Sequence, residues 1–382
     1  MTMAFYFDNA STTPVDPRVV ERMNGCLSAE GTFGNPASTT HGFGWFASEE
    51  VEWARATVAE VIDADPREIV WTSGATEADN LAIRGVVDAL CIERGRNRIV
   101  TLASEHKAVL DTCAHLAECE VIILKPRSDG LIDLDALAEV LTDQTLLVSV
   151  MLVNNETGVV QPIHEIAKMA HQAGALMHSD LAQAVGKLEV SMRALDLDLA
   201  SLSAHKTHGP KGVGALYVRR SSDVRVAEQQ HGGGHERGMR SGTLPTHQLV
   251  GMAEAYRLAQ QDFEAEYARV DQLRTRVVDA VLGLGDIQIN GRKTVPHILN
   301  LTVQGVDAEP LMAAMPEIGL STGSACNSAT LEPSHVLQSM GLTRADGLSS
   351  VRMSFGRTTT LEAVDHLIHS FTEAVQSLRS RS

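Results

Sequence analysis

Long apolar runs are missing from this chain of 382 residues, and none approaches the roughly 18 that a membrane-spanning helix requires. Met1–Phe7 has neither a basic start nor an extended apolar core, so no secretory signal is expected. Excess positive charge is lacking too. Asp and Glu outnumber Lys and Arg 48 to 32, a formal net charge of −16. Direct nucleic-acid binding through a large surface of clustered cations is therefore excluded. Cysteine is scarce: five residues, Cys26, Cys91, Cys113, Cys119 and Cys326, an odd number with no CxxC pair. That usage fits free thiols in a reducing compartment, and a cytoplasmic location is the expectation. Internal repeats and low-complexity tracts are likewise absent.

What remains is a composition of 44% hydrophobic and 21% charged residues, ordinary for a soluble globular protein and long enough for two cores. From residue 69 onward short apolar runs alternate with helical spacing. Strands are predicted at 68–72, 98–102, 121–124, 146–152, 176–178, 197–202 and 213–218. Helices are predicted at 48–64, 109–117, 134–140 and 163–173, with another following the turn at 73–80. Asp16-Pro17 reads as an N-cap with proline at the first helical position. Repeated β–loop–α with polar residues at strand ends predicts a mostly parallel sheet covered on both faces, with its site along the carboxyl edge. Helices then dominate to about residue 282. Shorter strands at 298–303 and 351–355 and a terminal helix at 361–378 suggest a smaller α+β domain. The expected division is 16–260 for the large domain, and 1–15 with 261–382 for the small one.

Chemistry-bearing residues gather at the ends of the predicted strands. Thr72 runs into Ser73-Gly74-Ala75-Thr76-Glu77, a small-residue turn that opens a helix, where free N–H groups suit a phosphate. The turn matches neither GxGxxG nor GxxxxGK[ST], so neither a dinucleotide fold nor a P-loop is indicated. His106 follows one strand, Asn155 another, Asp180 and Gln183 a third. Lys206, flanked by Ser203 and His205, ends a fourth. Alone, Lys206 reads first as a loop lysine facing water. Against apolar walls it becomes a nucleophile of the Schiff-base kind. His231 and His235 have metal-pair spacing, but three glycines between them rule out the helix such a pair needs, and no metal site is expected. Cys326 is the one cysteine set among small, flexible residues; Cys26, Cys91 and Cys113 sit in helical patterns and Cys119 just after one. A phosphate cradle, an amine, a carboxylate and a ring-stacking group are together what pyridoxal 5'-phosphate requires.

These segments also resemble a known family. Ser-Gly-Ala-Thr-Glu (73–77), Glu-His-Lys-Ala-Val-Leu (105–110), Val-Asn-Asn-Glu-Thr-Gly (153–158) and Ser-Ala-His-Lys (203–206) are similar to the pyridoxal-phosphate-dependent cysteine desulfurases. So are the His-Gly-Gly-Gly-His-Glu-Arg-Gly-Met-Arg-Ser-Gly-Thr loop (231–243) and Gly-Ser-Ala-Cys-Asn-Ser (323–328), the latter as in the branch with a long cysteine loop. The resemblance implies an α/β, fold type I homodimer acting on L-cysteine and passing sulfur to acceptor proteins. It implies that Lys206 binds the cofactor covalently, Asp180 pairs with its pyridine nitrogen, His106 stacks on the ring and Gln183 meets the ring hydroxyl. Ala75, Thr76, Ser203 and His205 would hold the phosphate, with Thr243 reaching it from the neighbouring subunit. Asn155 would contact cofactor or substrate, Arg352 the substrate carboxylate, and Cys326 would take the sulfur as a persulfide. His106 is a further acid–base candidate. The residues alone leave open another enzyme of this fold, such as a selenocysteine lyase or an aminotransferase, or a silent cofactor-binding scaffold.

Overall fold

A computed structural model describes residues 5–322 and 332–380. Its largest element is a seven-stranded sheet built from β1 (Ile69–Thr72), β2 (Arg98–Leu102), β3 (Glu120–Leu124), β4 (Thr145–Ser149), β5 (Leu176–Asp180), β6 (Leu199–Ser203) and β7 (Gly214–Val218). The spatial order is β1-β7-β6-β5-β4-β2-β3. Only β7 runs antiparallel to its neighbours; every other pairing is parallel. The mostly parallel sheet expected from the alternation is thus present.

Alternation along the strands builds both faces. Ile69 and Trp71 enter one core with Val100, Met177, Ala200 and Leu202. Val70 points the other way, to pack with Ile99, Leu147, Leu176, Leu199 and Leu216. Helices Gly42–Val61, Ile163–Gln172 and Thr246–Gln261 cover the first face. Ala75–Arg94 and Lys107–Ala114 cover the second. A third core gathers around the antiparallel sheet of β8 (Ile287–Ile289), β9 (Ile298–Val303) and β10 (Ser350–Ser354), ordered β10-β9-β8. Helices Phe263–Leu282 and Leu361–Arg379 cover it, and Phe7 from the start of the chain is buried within it. Phe5–Tyr6 pairs in parallel with Ile318–Gly319.

Local signals explain most element boundaries. Asp16 caps helix Pro17–Asn24 by accepting from Arg18 N–H at 2.9 Å. Cys26 falls in the turn beyond that helix, not within a helical stretch as its spacing suggested. The second helix begins at Gly42 rather than at the expected Ser48, capped by His41. Its glycines read as loop because glycine is a poor helix former. A Cβ at Gly44 would stand 1.9 Å from Ser38 O, so close approach of the preceding loop requires the bare backbone. Strand β8, three residues long, was too short to show alternation. No described helix is long and apolar enough to cross a membrane.

Candidate active site

The carboxyl edge of the parallel strands opens into a cavity of about 620 Å³. Strands β5 and β6 pair with Asp180 opposite Ser201, which sets the residues at their C-terminal ends side by side. Gly214, at the start of antiparallel β7, pairs with Ser203 on one side and Thr72 on the other. A Cβ there would lie 2.4 Å from Leu202 O and 2.7 Å from Gly74 Cα. Only glycine lets the 73–77 turn come this close to the loop that carries Lys206.

Nine of the expected residues line the cavity together: Ala75, Thr76, His106, Asn155, Asp180, Ser203, His205, Lys206 and Arg352. Helix Ala75–Arg94 points its N-terminus into it, and no side chain caps that end. Its first-turn N–H groups are therefore offered to the cavity. Glu77 instead accepts from Ser73 N–H at 2.7 Å and from Arg240 Nε at 2.8 Å. Burial pushes its carboxyl up, but these bonds outweigh it and hold the group below its ordinary value.

Two histidines of the cavity, His106 and His205, have their charged forms disfavoured. Burial lowers His106 below its ordinary value. Its Nδ1 accepts from Ala108 N–H at 3.1 Å, which leaves the proton on Nε2. His205 is brought down to about 4, by burial first and then by Lys206 and Lys211. Asp180 Oδ1 accepts from Ala182 N–H at 2.8 Å. Two residues earlier, fully buried His178 bridges Ser149 Oγ (2.8 Å) and Ser201 Oγ (3.0 Å), and burial takes it down to about 3. Lys206 is half-buried at the end of the β6 loop, and its carbonyl accepts from Lys187 Nζ at 3.3 Å.

Arg352 on β10 reaches this site from the other sheet. Its Nη1 donates to Asn155 O (2.8 Å), and Nη2 donates to Asp8 Oδ1 (2.7 Å) and Ser11 Oγ (2.6 Å). Two expected residues stand apart from the lining. Gln183 is buried, with Nε2 donating to Ala10 O at 2.7 Å and Oε1 accepting from Lys187 at 2.9 Å. Thr243 is exposed at the surface of the chain. Cys326 lies outside the described residues. Sequence reading did not single out Asp8, Ser11, Lys187 or His335, which also faces the cavity. The i, i+4 spacing from Gln183 was the one available sign of Lys187.

A sheet of this order with a lysine at its carboxyl edge defines a class, and comparison with known proteins agrees. Residues 5–367 match the family model described as aminotransferase class-V, and the chain belongs to that family. Within it the chain falls among the cysteine desulfurases. It is 52% identical over 386 residues to cysteine desulfurase IscS of Pseudomonas aeruginosa (strain LESB58), covering 100% of this chain and 95% of the relative. A solved structure described as a NifS-like protein superposes with TM-score 0.91 at 34% identity, over 98% of this chain and 100% of the other. Another, SspA in complex with cysteine, superposes with TM-score 0.80 at 34% identity over 92% and 98%.

Enzymes of this family depend on pyridoxal 5'-phosphate, and the residues present fit it. Ser203 Oγ and Asn155 Oδ1 are buried with no hydrogen-bond partner among the described residues. Buried polar atoms without partners are rare, and both of these residues line the cavity beside the uncapped helix end. The volume is within the range of small-molecule sites.

Proposed function

We propose that this protein is a cysteine desulfurase that converts L-cysteine to L-alanine and retains the sulfur as a persulfide on Cys326. The observation that carries this reading is one cavity lined by Lys206, Asp180, His106 and Arg352 at the open N-terminus of helix Ala75–Arg94. Ala75, Thr76, Ser203 and His205 would hold the cofactor phosphate, with Thr243 contributed by a second subunit of a homodimer. Bound there, the cofactor supplies an electron sink at the substrate Cα.

The chain's own groups do the rest. Asp180 holds a proton at the pyridine nitrogen, and Gln183 meets the ring hydroxyl. Asn155 and Arg352 bind and orient the substrate, Arg352 through its carboxylate. Lys206 is the amine that binds the cofactor and the base that moves the proton at Cα. His106, neutral with its proton on Nε2, covers the ring and shuttles a proton at the sulfur. The Cys326 thiolate attacks the substrate sulfur, so that enzyme thiol and cysteine become enzyme persulfide and alanine. The persulfide then passes to acceptor proteins serving iron–sulfur cluster assembly or nucleic-acid thiolation in the cytoplasm. The division into residues 16–260 and 1–15 with 261–382 belongs to this reading, supported by the separate core that joins Phe7 to Phe355 and Phe371.

The test is to supply L-cysteine to the cofactor-loaded protein and measure alanine and sulfide. Cys326→Ser should keep the cofactor's visible absorbance and lose sulfide release, whereas Lys206→Ala should lose both. Undiminished sulfide release by Cys326→Ser would overturn the persulfide route. Bound cofactor with no alanine from the wild type would point to a silent scaffold.

A further inference from the structure

Lys187 is buried, 6% exposed, in the turn that follows β5. Its ammonium donates to two neutral acceptors, Gln183 Oε1 at 2.9 Å and Lys206 O at 3.3 Å. Both belong to residues assigned above to the cofactor. The turn that places it is tightly specified. Gly186 has φ +77°, and a Cβ there would meet Thr207 Cγ2 at 2.9 Å and Ala259 Cβ at 3.1 Å. Thr207 Oγ1 in turn donates to Val185 O at 3.0 Å. The 181–188 turn and the lysine loop are thus locked together, with Lys187 between them.

A side-chain amide has an acceptor end and a donor end that are nearly equal in shape, so its direction is set by its partners. For Gln183 the partners leave one choice. The ammonium offers only donors and fixes Oε1, while Ala10 O is only an acceptor and fixes Nε2. A flipped amide would aim its NH2 at the ammonium and its oxygen at the carbonyl. One N–H of Nε2 remains for a ligand, so that end of the amide presents a donor.

We infer that Lys187 is a positioning residue that holds the Gln183 amide with its NH2 group toward the cofactor ring oxygen, committing that contact to stabilising the oxygen's anionic form. The inference rests on the reading of Gln183 under the proposed function. A hydrogen bond donated to a charged group favours that charged form. Burial lowers the Lys187 ammonium to about 7, with Lys206 and Arg352 acting in the same direction and Glu266 opposing. His208 and His297 also lie across the small cavity behind it. Even the neutral amine keeps N–H donors for Gln183, so the amide stays oriented after deprotonation.

The experiment is a pH titration of the bound cofactor's visible absorbance in the holoenzyme. Lys187→Met should raise the titration midpoint by about one unit, the scale of a lost charge-assisted hydrogen bond. Lys187→Arg, which keeps a cationic donor, should stay near the wild type. The same Lys187→Met change in a Gln183→Leu background should add no further shift. An unchanged midpoint in Lys187→Met would overturn the inference. So would an equal shift in both backgrounds, which marks a direct effect of the charge. Lys187→Leu, which likewise has no donor for Gln183, carries the same comparison if the methionine variant is insoluble. A wild-type chain that gains no absorbance with cofactor would overturn the functional reading itself, a result distinct from either.

Discussion

Arg352 and Asp8 stand 344 positions apart in sequence and meet at 2.7 Å, Nη2 to Oδ1, with 2% and 21% of their side chains exposed. The contact joins the middle of β10 to the loop that follows Phe5–Tyr6, beside the cavity that Arg352 and Ser11 line. Arg352 can bridge Asp8, Ser11 and Asn155 at once because a guanidinium presents its donors in a fixed fork. A lysine cannot reproduce that pattern. Arg352→Lys is expected to raise KM for L-cysteine roughly tenfold, the equivalent of about 1.4 kcal/mol, with a smaller change in kcat. Steady-state kinetics checks the split, and an unchanged KM would remove Arg352 from substrate binding.

A second ion pair anchors the glycine-rich loop that carries Thr243. Arg55 and Glu236 are 6% and 3% exposed and meet through two bonds of 2.8 Å. Glu236 also accepts from Trp71 N–H at 2.8 Å. Removing one partner of such a pair leaves a buried charge uncompensated, at a cost of about 3–5 kcal/mol. Glu236→Gln is expected to lower Tm by several degrees. The double replacement Arg55→Met with Glu236→Leu should recover part of that loss but not all of it, because Trp71 N–H then has no acceptor. Thermal denaturation of the wild type and the two variants checks the order.

Stability should also carry a histidine signature. His171 Nε2 lies 2.8 Å from Asp198 Oδ2 and its Nδ1 lies 3.1 Å from Asp196 Oδ2. The hydrogen bond to Asp198 raises the imidazole above its ordinary value of 6.5, against the opposing effect of burial. A group whose folded value is raised stabilises fully below its unfolded value and loses that contribution as pH rises through the folded one. The Tm advantage of wild type over His171→Gln is therefore expected to be largest below the ordinary value of 6.5 and to shrink as pH rises past the raised folded-state value. A difference that grows with pH would show that the aspartates do not hold the charged form.

The strand ends were legible because short apolar runs bounded by polar loops report buried parallel strands directly. The sequence alone thus places His106, Asp180 and Lys206 on one sheet edge. The uncapped turn at 73–77 was legible for the same reason, as a strand feeding a helix. Arg352–Asp8, Arg55–Glu236 and Lys187–Gln183 were not. The first two join distant parts of the chain, and no spacing rule encodes which charges meet once sheets stack. Lys187 was hidden because a lysine in a polar turn reads as exposed until the packing of Gly186 against Thr207 and Ala259 is seen. Gln183 was legible only as a polar residue beyond a strand end and Thr243 came from family resemblance alone, and neither lines the cavity of the single chain.

The opening residues are sewn to segments made much later. Thr13 bonds His205 O through both its N–H (2.8 Å) and its hydroxyl (3.0 Å). Asn9 and Ala10 bond Ser354 through its carbonyl and hydroxyl at 2.9 and 2.8 Å. On the ribosome, Asn9 and Ala10 cannot reach Ser354 until β10 has emerged, while the seven-stranded sheet can form before those contacts. Contacts of such long range are slow to close. A chain stopped short of Ser350 would carry Lys206 and its sheet but lack Arg352, the residue proposed above to meet the substrate carboxylate.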